Sequence, residues 1–408
     1  MSRILGDAEQ QFSMGGLIPH DLHKLDVQAF TPQLISIGPI HYYDAKLQTM
    51  KKFKVEYGVC LIERARLDLE HLLKIVRESE KKIHSYYAKE IVHNISKEDF
   101  VKMIVVDGMF ILENFLRKSY SGLVDNEPRL DDWMPSILKL DLVLLENQLP
   151  FFVLEMLFEP VRSSLARLGS PLPLPLRELA LEFFQCYNPQ TITCKTSIPE
   201  IEHLTDLVRL FYIGGKLPER ISGGAKPSYS AIQLHEAGVK FKRVEFGGEK
   251  GVEFGEKGEV LEIPCITLNN EKVRLIQNII ALEQSLYVWH AYVTDFFVIL
   301  DFLIDTSKDV DLLCDKGILV NYLGDSKTAA SIVNNLNKNI SWDYMNPNYS
   351  KICEDLNAFY KTRWHQWKAT LWRQYFSTPW RAASTSAAII LLLLTAIQTV
   401  CSLKSTIW

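Results

Sequence analysis

Three groups of residues have side chains that could do chemistry. The run Asp141-Leu142-Val143-Leu144-Leu145-Glu146-Asn147-Gln148 brings two carboxylates and two amides together. Asp107-Gly108 and Glu283-Gln284 are shorter strings of the same kind. Carboxylates suit general acid–base work, and amides bond polar ligands or backbone. On a helix starting at Asp141, Leu142, Leu145, Leu149 and Phe152 share one face. Glu146, Asn147 and Gln148 then flank a buried stripe, where they can bond neighbouring backbone such as the loop at Pro150. Asp107, Asp141, Glu146, Asn147, Gln148, Glu283 and Gln284 are therefore expected to form a structural polar motif that fixes helix packing. No catalytic, cofactor-binding or metal-ligating residue is assigned.

The remaining reactive residues point the same way. Asp131-Asp132 diverge on a helix or strand and make no dyad. The ten histidines are scattered, and His41 reads as a packed or capping residue. The seven cysteines are odd in number and widely spaced, with no CxxC. They read as reduced, mostly buried thiols. A Cys186–Cys194 bridge would require an oxidising space. There is no GxSxG elbow, HExxH, Walker or dinucleotide motif, and no kinase string. The expectation is a non-enzymatic protein without a cofactor. The alternative is a membrane-tethered hydrolase or transferase whose site is assembled from distant residues.

These residues must be positioned by helices. The 408 residues have 47% hydrophobic and 23% charged side chains, an ordinary globular balance. Helical periodicity runs over Lys46–Lys89, Lys97–Lys118, Ile137–Phe158, Leu174–Gln185 and Ile201–Tyr212. It resumes at Ile279–His290, Val293–Ile304, Val310–Leu313, Ala329–Ile340 and Ile352–Tyr375. Between the two sets lies a Gly/Pro/Ser loop, 214–229. Val239–Phe246 then alternates at period two, and Val260–Ile266 is strand-like, around a glycine-rich tip. The fold expected is mainly α: one large helical domain, 31–376, with a small β-hairpin or sheet at about 239–266. A poorly ordered leader, 1–30, precedes it.

Charge divides the chain. The formal total is −4, with 45 basic and 49 acidic residues, which makes no case for nucleic-acid binding. No acidic residue follows Asp355, while six basic ones do, so the −4 splits into −10 for residues 1–355 and +6 beyond. Residues 382–403 carry no formal charge and centre on Ile389–Leu394. About 20 such residues cross a hydrocarbon core. The segment 377–408 is therefore expected to be a juxtamembrane and transmembrane anchor. Trp364, Trp367, Arg373, Trp380, Arg381, Lys404 and Trp408 would lie at the membrane interface. Trp364, Trp367, Leu371 and Tyr375 also share a helical stripe that could instead face the domain. Basic residues before the span and only Lys404 after it place the large domain in the cytoplasm. The sequons Asn94-Ile95-Ser96, Asn339-Ile340-Ser341 and Asn348-Tyr349-Ser350 would report the opposite orientation if glycosylated.

Several strings, in order, resemble the plant family known as domain of unknown function 247. They include Ile37-Gly38-Pro39-Ile40-His41-Tyr42, Met50-Lys51-Lys52-Phe53-Lys54 and Val106-Asp107-Gly108-Met109-Phe110. The most specific is Leu145-Glu146-Asn147-Gln148-Leu149-Pro150-Phe151-Phe152. His203-Leu204-Thr205-Asp206-Leu207, Leu261-Glu262-Ile263-Pro264, Asn278–Gln284 and Pro379-Trp380 follow. The chain departs from the family at Met109, where cysteine is usual, and at Ile232-Gln233-Leu234-His235. The resemblance implies a single-pass plant membrane protein, expected at the plasma membrane, with no established catalysis. Some grass relatives are linked to the pollen side of self-incompatibility. The implied role is recognition or signalling by protein–protein binding. The partners expected are the lipid bilayer and an unidentified protein contacting loops 214–229 and 243–258.

Overall fold

A computed structural model describes residues 18, 20–120, 130–168, 173–188, 200–213, 218–245, 252–255, 260–338, 340, 343–362 and 379–407. Side chains at 20, 21, 25, 379, 381, 382 and 400–407 are not described. The chain is mainly helical, with small sheets. The first half contains α1 (His20–Leu25), α2 (Val27–Phe30), α3 (Lys51–Arg64), α4 (Leu69–Ser85), α5 (Lys89–Val92) and α6 (Lys97–Ser119). Next come α7 (Met134–Asp141), α8 (Phe151–Arg167), α9 (Leu176–Phe183) and α10 (Leu204–Leu210). α1 and α2 fall within the stretch read as a leader, and Ala29 and Phe30 of α2 are buried.

α6 is the axis of this half. Ser96 starts it, its hydroxyl accepting from Asp99 N, and Glu98 and Asp99 complement the helix dipole. It is apolar nearly all round, as a helix wrapped on every side must be. α3, α4, α8 and α9 surround it. Phe100, Phe110 and Phe115 are fully enclosed, each worth roughly 1.5–3 kcal/mol on burial. Gly108 lets α8 approach: a Cβ there would lie 2.4 Å from Leu157 Cδ1.

The second half contains α11 (Ala231–Ala237), α12 (Asn270–Leu286), α13 (Tyr292–Leu303), α14 (Ser307–Asp315), α15 (Ser326–Leu336) and α16 (Pro347–Lys361). Three small sheets brace it. β1 (Ile221–Ser222) pairs with β7 (Tyr344–Met345). β2 (Lys240–Val244), β3 (Glu253–Phe254) and β4 (Val260–Pro264) stack in the order β2-β4-β3. β5 (Ile266–Leu268) runs parallel to β6 (Leu319–Asn321). The β insertion lies where period-two alternation put it, but β2 and β4 are parallel. Within this sheet, among the described residues, only β3 and β4 are antiparallel, with Phe254 opposite Leu261, so a hairpin of β2 and β4 is ruled out.

Two expected helices are broken. The pattern over Lys46–Lys89 divides into α3 and α4 around Arg66, whose φ of +49° no helix accommodates. Asp68 then caps α4. The pattern over Ile137–Phe158 stops at Asp141 and restarts at Phe151, leaving residues 142–150 irregular. Of the free cysteines described, only Cys353 is buried, whereas Cys186 is exposed, so the thiols are not mostly buried. Cys194 lies outside the described residues.

α17 (Pro379–Ile407) has 29 residues. Its described side chains end at Thr399, and Ile389 to Ile397 include leucines and isoleucines 47–71% exposed. Among the described residues, no helix is long and apolar enough to cross a membrane. Trp380 is 86% exposed. Trp364, Trp367, Leu371, Arg373, Tyr375 and Trp408 lie outside the described residues, as do the side chains of Arg381 and Lys404.

Candidate functional site

The irregular stretch 142–150 faces a second irregular stretch, 31–38, which is buried except at Thr31 and Gln33 and has no strand partner among the described residues. Its backbone groups still need hydrogen bonds. Side chains supply them. Asp141, the last residue of α7, accepts from the backbone N–H groups of Gln33, Leu34 and Ile35 at 2.6–3.1 Å. Asn147 Oδ1 accepts from Ile37 N at 2.6 Å, and Asn147 Nδ2 donates to Ile35 O. Asp107 Oδ2 accepts from Gly38 N at 2.9 Å. Lys54 Nζ donates to Ser36 O and pairs with the other Asp107 oxygen. These four side chains form a clamp on residues 33–38.

Gln148 closes the far side. Its Nε2 donates to the carbonyls of Leu142 and Leu144, and its Oε1 accepts from Leu204 N at the start of α10. Its own carbonyl accepts from Tyr87 Oη at 2.9 Å. That carbonyl also fixes Gly38: φ is +70°, and a Cβ would lie 2.7 Å from it. Asn278 joins the clamp to the second half, accepting from Leu145 N and donating to Ala29 O.

The expected polar motif thus divides. Asp107, Asp141, Asn147 and Gln148 are brought together. Glu146 points away from them, near His23 at 3.4 Å and His41 at 3.3 Å. The His41 contact lacks hydrogen-bond alignment. Glu283 belongs to another centre. It accepts from Arg209 Nε, Val293 N, Thr294 N and the Thr294 hydroxyl, so it caps the N-terminus of α13, where Ala291 cannot. Gln284 is half-buried beside it, and its Nε2 has no partner among the described residues.

Sequence reasoning missed Lys54, Arg209, Arg220 and Asp295. Asp206 three residues before Arg209 hinted at an ion pair on one helix face. Nothing local marked Arg220, whose guanidinium binds Asp295 Oδ1 at 2.7 Å in the core.

Burial dominates the electrostatics. It raises the carboxyls of Asp107 and Asp141, against Lys54 and against the three N–H groups respectively. It raises Glu113 against Arg64 and Arg117. It lowers His203 to about 3, so this ring is neutral and caps α10 by accepting from Asp206 N. It raises Asp301 from 3.8 to about 6, opposed by a hydrogen bond from Asn337. The folded state therefore holds the Asp301 proton more tightly than the unfolded chain does. This contribution is full below 3.8 and is lost as pH rises through about 6. Asp301→Asn is expected to flatten the fall of the unfolding midpoint across that window. An unchanged slope in a pH series of melts would count against it.

On the surface, Trp289 is 50% exposed and packs edge-on against Tyr344 at 4.8 Å. Ile221 of β1 is 46% exposed and pairs with Met345, while Ser222 pairs with Tyr344. The aromatic pair adjoins the first of the loops expected to make contacts, since Arg220 N donates to Trp289 O. The rest of loops 214–229 and 243–258 is only partly described.

The family model described as a plant protein of unknown function, domain of unknown function 247, matches residues 17–394. A UPF0481 protein of Arabidopsis thaliana is 26% identical over 95% of this chain and 86% of its own length. A second, putative UPF0481 protein of Arabidopsis thaliana is 22% identical over 93% of this chain and 88% of its own. No solved structure matches the chain.

Proposed function

The chain belongs to the plant family domain of unknown function 247, and from that premise we propose a membrane-anchored recognition protein that works by binding another protein. The observation that carries the reading is α17. In the sequence, residues 382–403 of this helix are 22 without a formal charge, against the about 20 that cross a hydrocarbon core. Its apolar side chains from Ile389 to Ile397 face outward instead of into a core. Water disfavours such a surface and lipid does not. The recognition half of the proposal draws on the Trp289–Tyr344 pair, since partly exposed tryptophan and tyrosine are favoured at protein interfaces. The polar motif residues Asp107, Asp141, Asn147 and Gln148 hold backbone, which supports a structural role for them. A self-incompatibility-type determinant would be one instance of such recognition.

The full chain is expected to float with membranes and resist carbonate extraction, while a chain ending at residue 378 stays in the soluble fraction. A full chain recovered as soluble protein would sink the anchor. Glycan on Asn94, which is exposed, would reverse the cytoplasmic orientation. Trp289→Asp is expected to abolish capture of the partner bound by the full chain, and unchanged capture would remove the pair from the proposal.

A further inference from the structure

The end of α4, the short α5 and the start of α6 line a cavity of about 840 Å³. Tyr87, Val92 and Ile95 are buried and give it an apolar floor. Its rim is basic. Lys81 comes from α4, Lys89 from α5 and Lys97 from α6, and all three are exposed. No aspartate or glutamate lines the cavity among the described residues. Carboxylates close in sequence are turned to other partners, Glu98 to Arg77 and Lys102 and Asp99 to the Ser96 hydroxyl. Lys81, Lys89 and Lys97 form no ion pair among the described residues. Residues 81–97 hold four lysines and one glutamate, a formal +3, within a part of the chain that totals −10. Burial lowers the pKa of His84 on the cavity wall, Glu80 opposes this, and the Lys97 charge adds to it. The Lys97 charge is therefore felt across the cavity, at the wall that α4 supplies.

Like charges held on separate elements around a walled space focus a positive field into it. The donors narrow the anion that would answer this field. The Ser85 hydroxyl already donates to Lys82 O and the Ser96 hydroxyl to Asp99, so the ammonium groups are the principal free donors. No arginine lines the cavity among the described residues to fork a planar carboxylate, whereas lysines act as point charges suited to phosphate oxygens. One phosphate of about two charges would leave part of the field unanswered. We propose that this cavity binds a polyol carrying several phosphate groups, either free in solution or as the headgroup of a lipid. Its phosphates pair with Lys81, Lys89 and Lys97, and its carbon skeleton lies over Val92 and Ile95. The volume lies within the range of small-molecule sites. The cavity shares no residue with α17 or with the Trp289–Tyr344 pair, so its occupancy does not depend on the anchor or on the protein partner.

The test titrates the full chain, held in a neutral detergent, with inositol hexakisphosphate and with a soluble short-chain phosphatidylinositol bisphosphate. Citrate is the carboxylate control. Calorimetry and the unfolding midpoint are the readouts. At least one phosphorylated probe is expected to bind saturably and raise the midpoint, with citrate weaker by about tenfold or more. Tighter binding of the free polyphosphate names a soluble source, and tighter binding of the lipid names a membrane one. Lys89→Gln/Lys97→Gln should weaken binding about tenfold or more, through loss of charge-assisted hydrogen bonds. Lys316→Gln/Lys338→Gln removes the same charge from exposed sites outside the cavity and should leave binding unchanged. Ala88→Trp, which fills the cavity and keeps all three lysines, should abolish it. If Ala88→Trp does not fold, the comparison of the two lysine pairs decides the matter. No binding by either phosphorylated probe, equal binding of citrate, full binding by a folded Ala88→Trp, or lysine pairs that behave alike would each overturn the proposal.

Discussion

Asp141→Ala is expected to lower the stability of the chain by about 4 kcal/mol. The carboxylate accepts from three consecutive backbone N–H groups, on Gln33, Leu34 and Ile35. Leu34 and Ile35 are buried, so water cannot replace the lost acceptor without opening the segment. Each stranded donor costs about 1–3 kcal/mol, and partial rearrangement keeps the total below the sum. Asp141→Asn keeps one acceptor oxygen and should fall between the wild type and alanine. Denaturant unfolding measures the loss, and hydrogen exchange locates it. Amides 33–37 should lose protection first, ahead of α6. Uniform loss of protection across α6 and residues 33–37 would mean that the clamp is not a local device.

Arg220→Met is expected to cost about as much, roughly 4 kcal/mol, by the opposite route of stranding a charge. Arg220 bonds Asp295 through Nε at 3.1 Å and Nη2 at 2.7 Å, and donates to Val288 O. Asp295 in turn accepts from Asn346 N, which ties α13 to the β1–β7 pair. Burial raises Asp295 to about 6 even with Arg220 opposing it. Without the guanidinium the carboxyl is expected to take a proton more readily. The deficit of Arg220→Met should therefore be largest at neutral pH and narrow as pH falls. The double variant Arg220→Met/Asp295→Asn removes both charges and keeps an acceptor for Asn346 N. It should recover most of the loss. A double variant as unstable as the single one would show that shape, not charge, makes the pair necessary.

The helices that could be read along the chain are those whose ends are set locally. α6 matches its periodic stretch because Ser96 caps it and both flanks are polar. β2 and β4 were legible from alternation, but parallel pairing was not, because the alternation of one strand does not name its neighbour. The break at 142–150 was invisible for a related reason. Leu142, Leu145 and Leu149 are all buried, as a helix would have buried them, yet their backbone is irregular. Regular leucine spacing reports burial, and only the hydrogen bonds decide the backbone path.

The sequence by itself determined the mainly helical class, the place of the β insertion, the step in charge at Asp355 and the family. It also singled out Asp107, Asp141, Asn147 and Gln148, but in one group with Glu146, Glu283 and Gln284, which lie elsewhere. Only the tertiary structure decided what they hold. Asp141 reaches a backbone amide 106 positions away, and Lys54 meets Asp107 across 53. The physical reason is that the captured groups are backbone amides and carbonyls. Nearly every residue carries both, so no side-chain pattern marks which segment a distant carboxylate will bind until packing brings the two together.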